Sequence, residues 1–598
     1  MTAVVRREVE TAATYSVRPT QTLAGIIEEL ACTAPEFVAF QIPVAGGRRE
    51  VTAERFAQHV EAVAKGLIAS GIETGDRVAI MASTRYEWVL LDFAIWAAGA
   101  CTVAIYDASA SDQARWILAD SGTRLLVVET AQHAAVVAHI TTPVLAETLR
   151  IDQGAIDELV ARGAEIDDRE LRERTAGLTA ASPATLIYTS GTSGRPKGVV
   201  LTHANLLAVA RSGGIAMSGV LQPGQRTLMF LPLAHVFARC LSVLALMERV
   251  TVAHTADWST LGEQFISYQP DFVLAVPRVF EKVYNAAEQR AHESGKGWLF
   301  DRAAATAIDW SRALDDGDAG WWLRLRHSVF DRLVYTKLRA ALGGRCRYTV
   351  SGGGPLGERL GHFFRGVGIT IFEGYGLTET SAAITVNTLA HLRIGSVGKP
   401  IDGNAVRVAA DGELLVKGSV VFPGYWRDEQ ANRDAFEGEW FRTGDLGAID
   451  RDGFVTITGR KKEILVTAGG KNVSPGPLED ALRAHPLIGQ CMVVGDGQPF
   501  VAALVTIDRE ALQDWRRRHG VNIHVHLAEL LDHPGLIAEI DAAVAETNSE
   551  VSKAESIRRI RVLVEEWTQE GGELTAKLSL RRAVITQRYA AEIAGLYS

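Results

Sequence analysis

Tyr188 to Gly198, YTSGTSGRPKG, crowds hydroxyls, glycines and one lysine into a short segment. Glycine lets a backbone approach a phosphate closely, amide N–H groups and hydroxyls donate to its oxygens, and Lys197 adds a positive charge. The run Thr185–Thr189 before it reads as a buried strand, and a strand leading into a dense donor cluster is a recurring anion cradle. Composition alone also fits a surface loop. The segment lacks the Gly-Lys-Ser/Thr ending of a P-loop, which disfavours that class of NTPase.

Other residues have chemistry of their own. Gly352, Gly353 and Gly354, followed by Pro355, can let a backbone lie flat against a purine, and Tyr375 can stack on its face, although a Gly-rich turn is more often only a turn. Thr378 and Glu379 bring a hydroxyl and a carboxylate together, and the carboxylate suits magnesium, a hard cation that bridges to phosphates. Asp445 is an acceptor suited to a ribose diol and Arg460 a planar donor set for the same sugar; alone, they read as a turn aspartate and a surface arginine. His235 follows Pro232 and Leu233 in an apolar setting, where packing is its usual role. No Gly-x-Ser-x-Gly elbow is present in a strand-to-helix setting, so a Ser-His-Asp hydrolase is a weak reading.

The segment 188–198 resembles the ATP-binding signature of the adenylate-forming superfamily, which comprises acyl-CoA synthetases, luciferases and peptide-synthetase adenylation domains, with Ser193 where Thr is usual. The resemblance continues in order through PLAHVFAR (232–239), VPRVFEKVY (276–284), SGGGPL (351–356), EGYGLTET (373–380), WFRTGDLG (440–447) and GRKKEILVTAGGKNVSP (459–475). The last stretches, and the helical insert before Leu342, are most similar to bacterial long-chain fatty acyl-CoA synthetases.

That resemblance implies ATP, Mg2+ and coenzyme A, and a fatty acid substrate whose chain length no residue here fixes. It implies ATP contacts from Thr189, Ser190, Gly191, Thr192, Ser193, Gly194 and Lys197, then from Gly352, Gly353, Gly354, Tyr375, Gly376, Thr378, Asp445 and Arg460. Magnesium falls to Glu379 and Thr189, and catalytic roles to Thr189, Lys197 and Glu379. His235 is implied to lie near the acyl carbonyl, Lys462 to be the hinge between two half-reactions, and Gly469 to border the thiol channel. A glycine at 469 is equally explained as a turn.

One position departs from the family. Its long-chain members carry a lysine three residues before the arginine that closes the tail motif, and in GELTAKLSLRR (572–582) that position is Ser579. Lys577 is two residues earlier, on the same side of an extended segment but roughly 6 to 7 Å away. Three readings stay open: Lys577 substitutes, adenylation is slow while thioester formation survives, or the protein binds acyl-adenylates with little turnover. A fatty acyl-AMP ligase that loads a carrier protein is a further alternative.

The elements that must position these residues follow from periodicity. Phe56, Val60, Val63 and Leu67 mark a helix over 52–70, and Arg77–Met81, the helix from Tyr86, Cys101–Ile105 and Leu125–Val128 alternate as in a parallel α/β sheet. The charged stretch 156–175 reads as a solvated insertion, and 280–342 as amphipathic helices. Beyond Gly398, Asp411-Gly412 and Asp452-Gly453 mark hairpin turns before a junction near Gly459. The expected fold is α/β: a large N-terminal adenylate-forming domain with parallel sheets and a β-rich subdomain (1–458), a hinge (459–462), and a small mobile α+β C-terminal domain (463–598).

With 598 residues the chain must bury more than one core, and a net charge of -9 gives no reason to expect nucleic acid as a partner. The five cysteines lack metal or dithiol spacing and read as reduced thiols. The N-terminus has no apolar core of signal-peptide length and Trp88–Ile105 is interrupted, so the expected compartment is the cytoplasm. The clusters Arg516–Arg518 and Arg558–Arg561 can touch anionic lipid at the inner membrane face, although solvated helix surfaces explain them too.

Overall fold

The structure is a computed structural model and describes residues 6–189, 195–317, 319–522, 524–549, 551–569, 571–575 and 579–598. Two mainly parallel sheets carry the large unit. In the seven-stranded sheet the order is Gly424–Tyr425, Lys197–Thr202, Pro183–Thr189, Cys101–Ile105, Arg77–Met81, Thr123–Val128, Glu147–Arg150. From Pro183–Thr189 onward its neighbours are parallel, which covers both faces and explains why every residue of CTVAI is buried. The other two strands are antiparallel.

The nine-stranded sheet is parallel from Val38–Val44 through Thr251–His254, Arg226–Met229, Phe272–Ala275 and Tyr348–Ser351 to Thr370–Tyr375, with antiparallel strands at both edges. The helix expected over 52–70 is Ala53–Ala69, capped by Thr52, with Phe56, Val60, Val63 and Leu67 buried. The apolar stretch from Trp88 is the helix Tyr86–Ala97, buried at every position but Glu87, running into Cys101–Ile105. Among the described residues no helix is long and apolar enough to cross a membrane.

Where Tyr86–Ala97 meets the helix Val236–Met247, a buried ion pair joins them. Arg239 donates to Asp92 through Nε at 3.0 Å and Nη2 at 2.6 Å, and to Thr185 Oγ1 at 2.6 Å. Thr102 donates to the same carboxylate at 2.7 Å, so the pair is hydrogen-bonded on both sides.

Two expectations change here. The stretch 156–175 is solvated only on its outer side: it forms the helices Ala155–Arg162 and Asp168–Ala176, and Leu159 and Leu171 are buried. The first helix sits so close to Ala53–Ala69 that a Cβ at Gly66 would lie 2.0 Å from the Leu159 carbonyl oxygen, which is why glycine stands there. The basic clusters are partly engaged within the chain, and Arg558–Arg561 lies on the strand Ile557–Leu563 and not on a helix, with Arg558, Arg559 and Arg561 exposed. Arg516 is buried and donates to the Val525 carbonyl at 2.5 Å, Arg517 pairs with Glu293 and Asp514, and Arg559 donates to the carbonyls of Leu596 and Ser598.

An antiparallel sheet follows, with Asn404–Val408, Glu413–Gly418, Trp440–Ile449 and Val455–Arg460, and Gly412 and Gly453 turn with φ of 85° and 86°. Past the short turn Lys461–Glu463, a separate three-stranded sheet pairs Ile488–Val494 with Val501–Ile507 and the latter with Ile557–Leu563, around apolar clusters of its own. Arg278–Asp508 at 3.4 Å and Arg517–Glu293 at 2.8 Å tie this unit to the helix Pro277–Glu293.

Candidate active site

The strand Pro183–Thr189 delivers Thr189 opposite Lys197 on the returning strand Lys197–Thr202. Ser190, Gly191, Thr192, Ser193 and Gly194 lie outside the described residues. The base of the segment is rigid: Tyr188 donates to Asp120 Oδ2 at 2.6 Å, Trp426 Nε1 donates to the Asp120 carbonyl at 3.1 Å, and Gly198 lies between the two aromatic side chains. Burial, and then the Asp120 carboxylate, push the Tyr188 phenol up, so it stays a donor.

Sequence reasoning missed Tyr425 and Asp428. The short strand Gly424–Tyr425 pairs with Val199 and Val200, which puts the Tyr425 ring 5.2 Å from the Lys197 ammonium and its hydroxyl 3.0 Å from Glu379 Oε1. Asp428 Oδ2 is 3.8 Å from Lys197 Nζ. One ring thus links the lysine of the first motif to the carboxylate of a distant one. The signal was weak, because GYWRD matches no chemical pattern until the strand pairing places it.

The strand Tyr348–Ser351 ends in the glycine turn. Gly353 has φ of 82°, and a Cβ at Gly352 would meet the Phe237 ring at 3.0 Å. That ring joins the turn to the segment of His235, which caps the helix Val236–Met247 by accepting the Phe237 N–H at Nδ1, 3.1 Å away. Glu373 accepts the Leu356 N–H at 3.0 Å, pinning the far end of the turn, and burial pushes its carboxyl up to about 7. Nothing in the sequence singles out Glu373 beyond its place at the head of EGYGLTET.

Gly376 is needed sterically, since a Cβ there would lie 2.0 Å from the Ala382 carbonyl oxygen. Thr378–Thr380 is a single 3-10 turn with Thr378 buried, closed by Ser381 and Ala382 at φ of 54° and 102°. Left-handed backbone at two consecutive non-glycine residues is costly, and it is held here by Ser381 donating to the Val420 carbonyl at 2.8 Å.

Tyr375, Asp445 and Arg460 converge. The Tyr375 hydroxyl donates to Asp445 Oδ2 at 2.7 Å, and Arg460, opposite Asp445 in the strand register, places Nε 3.0 Å from Oδ1. Asp445 is 3% exposed; burial raises its carboxyl and Arg460 opposes the rise. Burial and the Asp445 charge also push the Tyr375 phenol far up, so it remains a neutral donor.

Lys462 is exposed in the turn Lys461–Glu463, while Lys461 is held by Asp411 at 2.6 Å and Glu413 at 3.1 Å. Gly469 is exposed beside the hairpin Leu465–Val466 and Asn472–Val473, and a Cβ there would meet nothing nearer than Thr467 Oγ1 at 3.9 Å. Local packing therefore does not demand glycine at 469.

Leu574 bridges Leu580, and Thr575 N–H donates to the Ser579 carbonyl at 2.9 Å. Lys577, and with it the extended-chain offset of roughly 6 to 7 Å, lies outside the described residues. Ser579 is fixed through its N–H, which donates to Thr575 Oγ1 at 3.1 Å. Just beyond, Arg582 grips Glu479 at 2.7 and 2.6 Å and Glu463 at 3.2 Å, which ties the tail to the turn that holds Lys462.

Comparison with known proteins fits this arrangement. Residues 27–426 match the model of the AMP-binding enzyme family, and residues 462–598 that of the AMP-binding enzyme C-terminal domain. The chain is 51% identical over 597 residues to the long-chain-fatty-acid–CoA ligase FadD15 of Mycobacterium bovis, covering 99% of this chain and 100% of that one. The FadD15 of Mycobacterium tuberculosis matches at the same identity and coverage. The anthranilate CoA ligase AuaEII, solved with anthranoyl-AMP, shares the fold at a TM-score of 0.71 and 20% identity, over 97% of this chain and 99% of that one. With both halves matched in order, this chain belongs to the AMP-binding enzyme family.

Proposed function

We propose that the protein is a long-chain fatty acid–CoA ligase that forms AMP. In the first half-reaction a fatty acid carboxylate attacks the α-phosphorus of ATP and pyrophosphate leaves. In the second, the thiol of coenzyme A attacks the acyl carbonyl, loses its proton, and AMP leaves. No enzyme nucleophile is needed.

The observation that carries the reading is the meeting of Lys197 and Glu379 across Tyr425. A cation and a carboxylate fixed around one ring suit a triphosphate with its metal, because preorganised charge lowers the barrier where phosphate charge shifts. Glu379 and the Thr189 hydroxyl offer hard oxygen ligands that fit magnesium, which when bound screens the phosphate charge. The loop 190–194 and Lys197 hold phosphates in this reading, the turn at Gly352–Gly354 and Tyr375 hold adenine, and Asp445 with Arg460 hold the ribose. Tyr375 donating to Asp445 links base and sugar sites into one support. His235, at its helix cap, faces the acyl end. Lys462 is the hinge, with 1–458 on one side and 463–598 on the other, and Gly469 borders the thiol path.

The fatty acid substrate is supported by full-length kinship with ligases of that name. In this reading the reaction runs in the cytoplasm, where ATP and coenzyme A are available. Purified protein given ATP, Mg2+, palmitate and coenzyme A is expected to release AMP and palmitoyl-CoA, and release of neither ends the reading. Acyl-adenylate that accumulates without coenzyme A and is not consumed when it is added would assign a carrier-loading ligase instead.

A further inference from the structure

We infer that Trp116 and Asp120 are positioning residues for the β- and γ-phosphates of ATP, an inference that rests on the ATP reading of the segment 188–198. Both residues lie on the helix Ser111–Ser121, whose Ala114, Ile117 and Leu118 are buried, while Trp116 and Asp120 are half-buried at its edge. They are four residues apart, so their side chains stand one above the other on one face. Each holds a different limb of the segment. Asp120 Oδ2 accepts the Tyr188 hydroxyl at 2.6 Å on the outgoing limb. Trp116 Nε1 donates to the Pro196 carbonyl at 2.8 Å on the returning one, and the Arg195 guanidinium lies over the Trp116 ring at 4.6 Å.

The strand ladder alone does not fix the returning limb. Thr189 opposite Lys197 is the last pair of the register, so Arg195 and Pro196 take their place from Trp116. Lys197 is the next residue, and its ammonium reaches a phosphate only as well as its backbone is placed. Trp426 closes the frame: its backbone N–H donates to the Gly198 carbonyl at 2.7 Å and its Nε1 to the Asp120 carbonyl at 3.1 Å. Its neighbour Tyr425 is the ring that Lys197 and Glu379 share. One turn of helix thus sets the distance between the limbs and joins it to the cation and the carboxylate. A displacement of ~1 Å at Lys197 is enough to weaken charge-assisted bonds to a polyphosphate. The helix itself would stay seated on Ala114, Ile117 and Leu118 without either polar contact. AMP has neither the β- nor the γ-phosphate, so in the same reading its binding falls to the glycine turn, Tyr375, Asp445 and Arg460.

The test is calorimetric titration of the full chain with ATP and with AMP in turn, in Mg2+ and without fatty acid, so that nothing turns over. Trp116→Phe keeps a ring under Arg195 and deletes the donor, and Asp120→Ala deletes the acceptor. Trp116→Phe is expected to raise the ATP dissociation constant about 3- to 10-fold and Asp120→Ala about 10-fold or more, with the AMP constant within about two-fold of the parent's in both. Asp120→Asn, which still offers Tyr188 an acceptor, is expected to recover most of the affinity lost in Asp120→Ala. The inference is overturned if either Trp116→Phe or Asp120→Ala binds ATP as tightly as the parent, or if ATP and AMP weaken by the same factor, as a role in folding alone would give. It is equally overturned if Asp120→Asn is no better than Asp120→Ala. A parent that binds neither nucleotide defeats the function proposed above and takes this inference with it; a parent that binds both, with variants that match it, defeats the inference alone.

Discussion

The Tyr425 hydroxyl donates to Glu379 Oε1 at 3.0 Å, and the same ring lies 5.2 Å from the Lys197 ammonium. The tyrosine orients a carboxylate and a cation that are far apart in the chain. Tyr425→Phe keeps the ring and deletes the donor. It should lower kcat/KM for pyrophosphate release about 10- to 100-fold, the worth of one hydrogen bond to a charged group, and leave the melting temperature near the parent's. An unchanged rate would show that Glu379 needs no such support.

In the reading where Lys577 substitutes for the lysine that Ser579 replaces, it bears on the first half-reaction alone. Lys577→Ala should cut pyrophosphate release on the order of 100-fold, as for loss of a charge at the reacting phosphate, while transfer from synthetic acyl-adenylate to coenzyme A changes only a few-fold. Ser579→Lys tests the same point from the other side. A large gain in pyrophosphate release from that variant would mean that Lys577 does not substitute.

Arg239 and Asp92 predict an asymmetry in stability. Arg239→Leu leaves a buried carboxylate without its partner and should cost about 3–5 kcal/mol in urea unfolding. The double replacement Arg239→Leu with Asp92→Leu should be less damaging than the single one. If the double variant is the worse of the two, the pair is not the source of the cost.

Glu373 predicts a pH slope. Its carboxyl is raised by burial from 4.5 to about 7, so between those values the folded protein holds a proton that the unfolded chain has released. Stability from this group is present below pH 4.5 and lost as pH rises through 7. The loss is about 2 kcal/mol once partial exposure is allowed for. Glu373→Gln should flatten this part of the profile in urea titrations from pH 5 to 8. An identical slope in parent and variant would remove Glu373 as its cause.

Much of this was legible in the chain itself. Apolar runs and helical periods located Ala53–Ala69, Tyr86–Ala97 and Cys101–Ile105, since burial on both faces of a parallel sheet leaves a continuous apolar signature. The ordered motifs indicated the adenylate-forming fold, because residues that must meet a nucleotide are constrained in type wherever they occur. The buried side of 156–175 was not legible, as its packing depends on Gly66, in another helix, coming close to Leu159.

By itself the sequence determined which chemical groups are available: the hydroxyl and glycine segment, Lys197, Glu379, Asp445, Arg460 and the altered tail at Ser579. Only the tertiary structure decided how they are joined. Tyr425 became part of the site through a two-residue strand pairing with Val199 and Val200, Arg239 met Asp92 in the core, and Arg582 joined the tail to Glu463 and Glu479. The reason is common to all three. Side-chain type and period are local properties, whereas hydrogen-bond partners and burial are set by segments distant in sequence, which no local pattern encodes.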